Sequence, residues 1–281
     1  MAIQTTKKQK KDIEKEIKKG SWKNEKIWNY LIAYLLNGTK GKKYLKKFLN
    51  NSIEIKTPKN IWFEAQPISP RKGKSGKTEG NTRLDLAFGD IELRGKVGGS
   101  GIRYNNSGKN NTWVCFIEAK LFSDCGISVS FDPMRNQITR VIENLLCFRN
   151  NNESPKEESP KNLFFTLLTP KDFYENPNTR LYGYKMQEYY PKNNNAIMKD
   201  INTLELVWRN KNINEEFLLE KLNSLEINWI TYEDILIEEF GLPAEFSLVK
   251  TILEWGENPI QEIKDKFNEI ADNITKEIAN N

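Results

Sequence analysis

The sequence predicts an α/β protein with an α-β-β-β-α-β core, flanking helices and a mixed α/β C-terminal extension. Three observations predict it. A strong amphipathic helix precedes three β-prone segments. A second amphipathic helix follows them. An uninterrupted apolar run then reads as a buried strand.

The elements follow in order. Residues 1–20 carry seven Lys, with apolar side chains in the helical part only at Ile13 and Ile17, and read as a weak basic helix or frayed arm. Residues 22–36 repeat Ile27, Tyr30, Leu31, Tyr34 and Leu35 at helical spacing, and Asn37-Gly38 stops the helix. A short helical stretch at 44–49 follows. Residues 61–65 are β-prone and end before Pro67, and a polar Gly- and Lys-rich loop spans 69–81. Residues 82–88 alternate, placing Leu84, Leu86 and Phe88 on one face and Arg83 and Asp85 on the other. The six glycines of 89–112 suggest a long hairpin or loop. Residues 113–121 form the next strand, with Val114, Phe116, Glu118 and Lys120 sharing a face. Asp132-Pro133 suits a helix start, and the helix runs to about Phe148. A Ser-Pro-rich linker at 150–161 precedes the apolar strand 163–168. Beyond residue 170, strands at 204–209 and 227–232 flank a helix at 215–222, and 246–255 and 259–278 look helical. The division expected is an arm at 1–21, a core at 22–170 and an extension at 171–281. The extension packs on the core and serves specificity, dimerisation or partner contacts.

Composition excludes whole classes of chemistry. The 281 residues contain no histidine. That removes Ser-His-Asp and Cys-His catalysis and His-ligated zinc. Acid–base work falls to Asp, Glu, Lys, Tyr or metal-bound water. Three cysteines without CxxC spacing argue against a disulfide framework or zinc site and suit a reducing cytoplasm. No run approaches the roughly 18 apolar residues of a membrane span, and the lysine-rich start is not a secretory signal.

Charge is unevenly spread. Residues 1–47 hold 14 basic against 4 acidic residues, a net of +10, and residues 126–281 carry a net of −9. A basic first half suggests a polyanion partner; a solubilising face is the equal alternative.

The chemistry-bearing pattern is Asp85 followed by Glu118-Ala119-Lys120. If the two strands pair, two carboxylates and one ammonium converge. Carboxylates are hard ligands for Mg²⁺, and a lysine beside them offsets phosphate charge. Glu-x-Lys occurs four times, at Glu16, Glu54, Glu118 and Glu262. Only the one at Glu118 ends an apolar strand with an acid-bearing strand before it. A surface ion pair at a strand end is the plain alternative.

Leu84-Asp85-Leu86 and Phe116-Ile117-Glu118-Ala119-Lys120, with the element order from about 22 to 168, resemble the PD-(D/E)XK nuclease superfamily, the restriction-endonuclease-like fold. The resemblance covers about half the chain. Leu84 stands where the motif's name has Pro, and the 33 residues from Asp85 to Glu118 are a longer spacing than usual. The resemblance implies a mixed central sheet, with Asp85 and Glu118 as Mg²⁺ ligands assisted by the Ala119 carbonyl, Mn²⁺ as a substitute, and Lys120 as the catalytic lysine. It implies an extra acid, for which Glu25 and Glu64 are the candidates. Gln137, on the helix after the motif, is a candidate for holding phosphate or a metal-bound water. Arg135 and Arg140 are candidates for backbone phosphates, as are Arg71, Lys72, Lys74 and Lys77 of the basic loop.

The segment Gly73-Lys74-Ser75-Gly76-Lys77-Thr78 lacks the first glycine, the leading strand and the following helix of a phosphate-binding loop, so no nucleotide cofactor is expected. The function expected is a Mg²⁺-dependent endonuclease on double-stranded DNA, cytoplasmic, serving restriction or phage defence, with a homodimer as a plausible assembly. Repair or recombination, RNA cleavage, and a non-catalytic binding or assembly module are the alternatives.

Overall fold

The structure is a computed structural model describing residues 1–50, 57–73, 82–106, 111–125, 136–150, 158–190, 192–202, 206–256 and 259–280. The chain begins with β1 (Ala2–Gln4), α1 (Lys7–Lys18), α2 (Glu25–Asn37) and α3 (Gly41–Phe48). Next come β2 (Asn60–Ala65), β3 (Arg71–Gly73), β4 (Leu84–Gly89), β5 (Ile91–Leu93), β6 (Ile102–Tyr104) and β7 (Trp113–Ala119). Then follow α4 (Gln137–Leu146), β8 (Asn162–Thr169), α5 (Lys171–Glu175), α6 (Leu181–Tyr189), α7 (Asn194–Ile201) and β9 (Leu206–Trp208). The last elements are α8 (Glu215–Asn223), β10 (Leu225–Thr231), α9 (Glu233–Phe240), α10 (Leu248–Leu253) and α11 (Gln261–Ala279).

The architecture is α/β with a mixed central sheet and helices on both faces. The sheet runs β1-β2-β4-β7-β8-β10. β4 pairs antiparallel with β2 and β7, and the other three pairings are parallel. Parallel strands between helical layers are buried on both faces and so read as continuous apolar runs. β8 does this, with every residue from Leu163 to Thr169 buried. One core lies under α1, α2, α3, α9, α10 and α11, and takes Trp113, Cys115, Ile117 and Ala119 from β7. The other lies under α4, α6, α7 and α8, and takes Val114 and Phe116. Glu118 shares the parity of this second face.

Several expectations are corrected. Residues 1–21 are not a free arm. β1 adds to the sheet edge with Ile3 opposite Ile61. Thr6 and Gln9 form a capping box that starts α1. Ile13 and Ile17 are buried in the same core as Ile270 and Ile274 of α11. Residues 171–281 are not an addition to a finished core either, because β10 completes the sheet beside β8. Between β8 and β9, α5, α6 and α7 are helical pieces too short to show a clear period. The expected helix start at Asp132-Pro133 lies outside the described residues. The described helix opens at Gln137, where the Asn136 side chain accepts from the Thr139 N–H.

The charge asymmetry is partly used inside the molecule. Lys10 of α1 pairs with Glu277 of α11. Lys43 and Lys47 of α3 both reach Glu238 of α9, and Lys40 reaches Glu239. Each such exposed pair contributes little. Together they join four lysines of the basic first half to acids of the second.

The packing of α1 gives a test. Ile13→Ala should cost about 2–5 kcal/mol in urea unfolding, the usual loss for a buried Ile. Deleting residues 1–21 should lower the unfolding midpoint further. A free arm would leave both midpoints unchanged.

Candidate active site

The site forms where β4 and β7 part. The last paired residues at that end are Leu86 and Ile117. One step further in the same register stands Asp85 opposite Glu118. Here the ladder stops, and the Asp85 carboxylate accepts the Ala119 N–H at 2.8 Å. The side chain thus replaces the missing strand partner. The alternation of β4 also breaks here. Leu86 and Phe88 enter the first core, whereas Leu84 enters the second. On the neighbouring strand, Phe63 pairs with Leu86 and Ala65 with Leu84, so Glu64 stands on the same rung. Glu64 has φ 48°, the left-handed region that non-glycine residues rarely occupy.

The next N–H groups are also taken up. Lys120 N donates to Leu168 O of β8 at 2.9 Å. Leu121 N and Ser123 Oγ donate to Glu25 Oε2 at 2.6 and 2.9 Å. Glu25 opens α2, where Asn24 caps the helix through the Lys26 N–H. Asp85, Glu118, Lys120 and Glu25 therefore converge on the end of β7. Asp85 and Glu25 are half-buried and mark the open side. Glu118 and Lys120 lie behind them at 0% and 4% exposure. Lys120 Nζ donates to Glu118 Oε1 at 2.6 Å.

The electrostatics follow from this crowding. Burial, then the charges of Glu118 and Glu25, push Asp85 well above the usual carboxylate range. Burial also raises Glu118, against the pull of Lys120 and Arg140. Burial alone would discharge Lys120, but Glu118, Asp85 and Glu25 outweigh it and hold the ammonium protonated. The cluster thus favours a proton on its carboxyls and a positive lysine.

The residues present fit a divalent cation. Glu118 Oε2 is buried and has no hydrogen-bond partner among the described residues. Such an orphan acceptor is costly without a cation or proton. Among the described residues, no three His, Cys, Asp or Glu side chains form a metal-holding group by themselves. Mg²⁺ does not need three, since it is commonly held by one or two carboxylates plus water.

The other candidates divide. Glu64 does not join the cluster; it pairs with Lys26 at 2.6 Å and Arg83 at 3.6 Å. Glu25 is the acid that joins. Arg140 stands close enough for its charge to lower the Glu118 carboxyl. Gln137 is half-buried at the start of α4, next to Ile138, whose N–H reaches the Cys125 thiol. Arg71 is corrected: it is 3% exposed, not on a basic loop. Its guanidinium donates to Glu143, Leu206 O and Ile201 O and lies over the Trp208 ring. It joins β3 and β9 to α4 and has no face left for phosphate. Lys72 is exposed on β3. Lys74, Lys77 and Arg135 lie outside the described residues.

Sequence reasoning missed residues that surround the cluster from the C-terminal half. Tyr232, fully buried after β10, donates to Asn29 Oδ1 at 2.5 Å. Burial, then Glu25 and Asp85, hold its hydroxyl protonated. Asp124 accepts from the Leu181 and Tyr182 N–H groups and so caps α6, which has no cap of its own. That cap brings Tyr182 within the field of Lys120. No local pattern signals these contacts, because each joins segments more than fifty residues apart.

No family model, curated protein or solved structure matches the chain.

Two predictions follow from the proton held here. Asp85 and Glu118 have folded pKa values above their unfolded ones. Their contribution to stability is present at low pH and is lost as pH rises through the folded values. A cation displaces those protons, so the melting shift caused by Mg²⁺ should grow with pH, and Asp85→Asn should reduce that growth. A shift independent of pH would contradict the arrangement. Lys120→Met removes the charge that opposes the Glu118 shift. Glu118 should then rise further, so the variant should lose more stability near pH 8 than near pH 5 by chemical unfolding. An equal loss at both would deny the buried pair.

Proposed function

We propose that the protein is a Mg²⁺-dependent endonuclease of the restriction-endonuclease-like kind, hydrolysing phosphodiester bonds of DNA. The observation that carries the reading is the convergence of Glu25, Asp85, Glu118 and Lys120 at the end of β7. The acid-strand and Glu-x-Lys pattern alone does not require it. A surface ion pair at a strand end would be solvated; this one is buried, with an orphan carboxylate oxygen beside it.

Asp85 and Glu118, with the Ala119 carbonyl, are the residues that would hold Mg²⁺ or Mn²⁺. The cation would supply charge stabilisation at phosphate and a more acidic bound water. Lys120 is held protonated, so its part is that of a cation. It neutralises charge that builds on the phosphate and orients the attacking water. Glu25 fixes the loop at Leu121 and Ser123 and adds negative charge on the open side. Arg140 contributes a second positive charge from α4. Double-stranded DNA is the substrate proposed, and restriction or phage defence the role, with a homodimer supplying two cuts.

The test is incubation of the protein with supercoiled plasmid, linear duplex, single-stranded DNA and RNA, in Mg²⁺ or EDTA. Duplex DNA should be cut with Mg²⁺ and spared in EDTA. Lys120→Met should slow cleavage by the order of 10²–10³-fold, as for loss of one charge-stabilising donor, while duplex binding persists. Binding without cleavage in the wild type would leave a non-catalytic module. Cleavage of RNA alone would move the substrate class.

A further inference from the structure

A cleft of about 300 Å³ is lined by Gly20, Ser21, Trp22, Lys23, Asn24 and by Ile252, Trp255 and Gly256. That volume is at the lower end of small-molecule sites, roughly 300–1,000 Å³. The first wall ends at Asn24, and the next residue is Glu25, which holds the loop at Leu121 and Ser123. The wall of the cleft and the acid that holds that loop are thus consecutive in the chain.

The wall is held in place. Gly20 has φ 67°, and a Cβ there would stand 3.3 Å from the Trp22 indole nitrogen. The Trp22 carbonyl accepts the Trp28 indole N–H at 2.8 Å. The half-buried Trp22 ring packs against Trp255 at 5.0 Å and Phe267 at 5.3 Å. Ser21 and Asn24 turn their side chains to Glu16. This spends their polarity away from the cleft. What remains is an indole-lined slot with the exposed Lys23 on its rim. Flat aromatic walls with a cation alongside suit a base and its phosphate, since every base has a π-face for stacking.

We propose that this cleft holds one nucleobase of the substrate strand, stacked on Trp22, with Lys23 at the adjoining phosphate. The inference rests on the nuclease reading and adds a base-binding subsite to it.

The experiment walks a single abasic position along a labelled duplex and along its single strand, measuring binding to the full-length protein by anisotropy in EDTA. Wild type should lose affinity at one position of the walk. Trp22→Ala should weaken binding of intact DNA about 5- to 150-fold, the loss of one stacked base, and should make the abasic walk flat. Trp22→Phe should retain most of the affinity. Gly256→Trp fills the cleft from a position with open space around its Cβ, and should reproduce Trp22→Ala with Trp22 in place. If Trp22→Ala fails to fold, Trp22→Phe and Gly256→Trp decide. A flat walk in a wild type that cuts DNA overturns this inference and leaves the nuclease reading standing. Wild-type affinity in both Trp22→Ala and Gly256→Trp overturns it equally. A protein that neither binds nor cuts any nucleic acid overturns both.

Discussion

The buried ion pair between Glu118 and Lys120 is the interaction on which the rest of the molecule depends. Taking a carboxylate and an ammonium out of water is expensive, and attraction between the two repays it only when the geometry is good and the remaining polar groups are satisfied. Acids around the end of β7 satisfy the neighbouring backbone N–H groups, while Glu118 Oε2 is left without a hydrogen-bond partner among the described residues. Asp85 takes the one at Ala119, Glu25 the one at Leu121, and Asp124 those that start α6. The same side chains that crowd the pair with negative charge also end the sheet in an orderly way. Backbone satisfaction and site electrostatics are thus one construction. It draws on α2, β4, β7 and α6, which are scattered from residue 25 to residue 189.

Legibility followed the range of the interactions. The strands β2, β7 and β8 and the helices α2 and α4 could be read because their apolar residues repeat within a few positions. Asp85, Glu118 and Lys120 could be read because strand periodicity alone puts two of them on one face. Glu25 and Glu64 looked alike in sequence. Only the fold separates them, because Lys26 and Arg83 occupy Glu64 while Glu25 reaches across to the loop after β7. Arg71 was misread for the same reason. It stands in a lysine-rich stretch, and its partner Glu143 is on another element. The strand β1 is three residues long and carries no period of its own, so its place at the sheet edge was invisible. Tyr232 and Tyr182 belong to the site only by virtue of β10 and the α6 cap.

Net charge misled in an instructive way. A lysine-rich beginning invites the idea of an external polyanion. Several of those lysines answer Glu238, Glu239 and Glu277 of the same chain. Lys23 differs, being exposed on the rim of an aromatic cleft. Position, not abundance, is what distinguishes a lysine available to a phosphate from one that holds two helices together.

The packing of α1 along α11 bears on how the chain is made. Ile13 and Ile17 share one core with Phe267, Ile270 and Ile274, and that core also takes Ile27 and Trp28 of the helix bearing Glu25. On a ribosome, the first helix emerges long before its partner. The wall behind Glu25 therefore stays open until α11 has been translated. A nascent or prematurely stopped chain would carry the acid and lysine motif without the support that assembles it, so the cluster would come together only late in synthesis. For a protein proposed to cut DNA, such a delay would withhold that activity from unfinished copies.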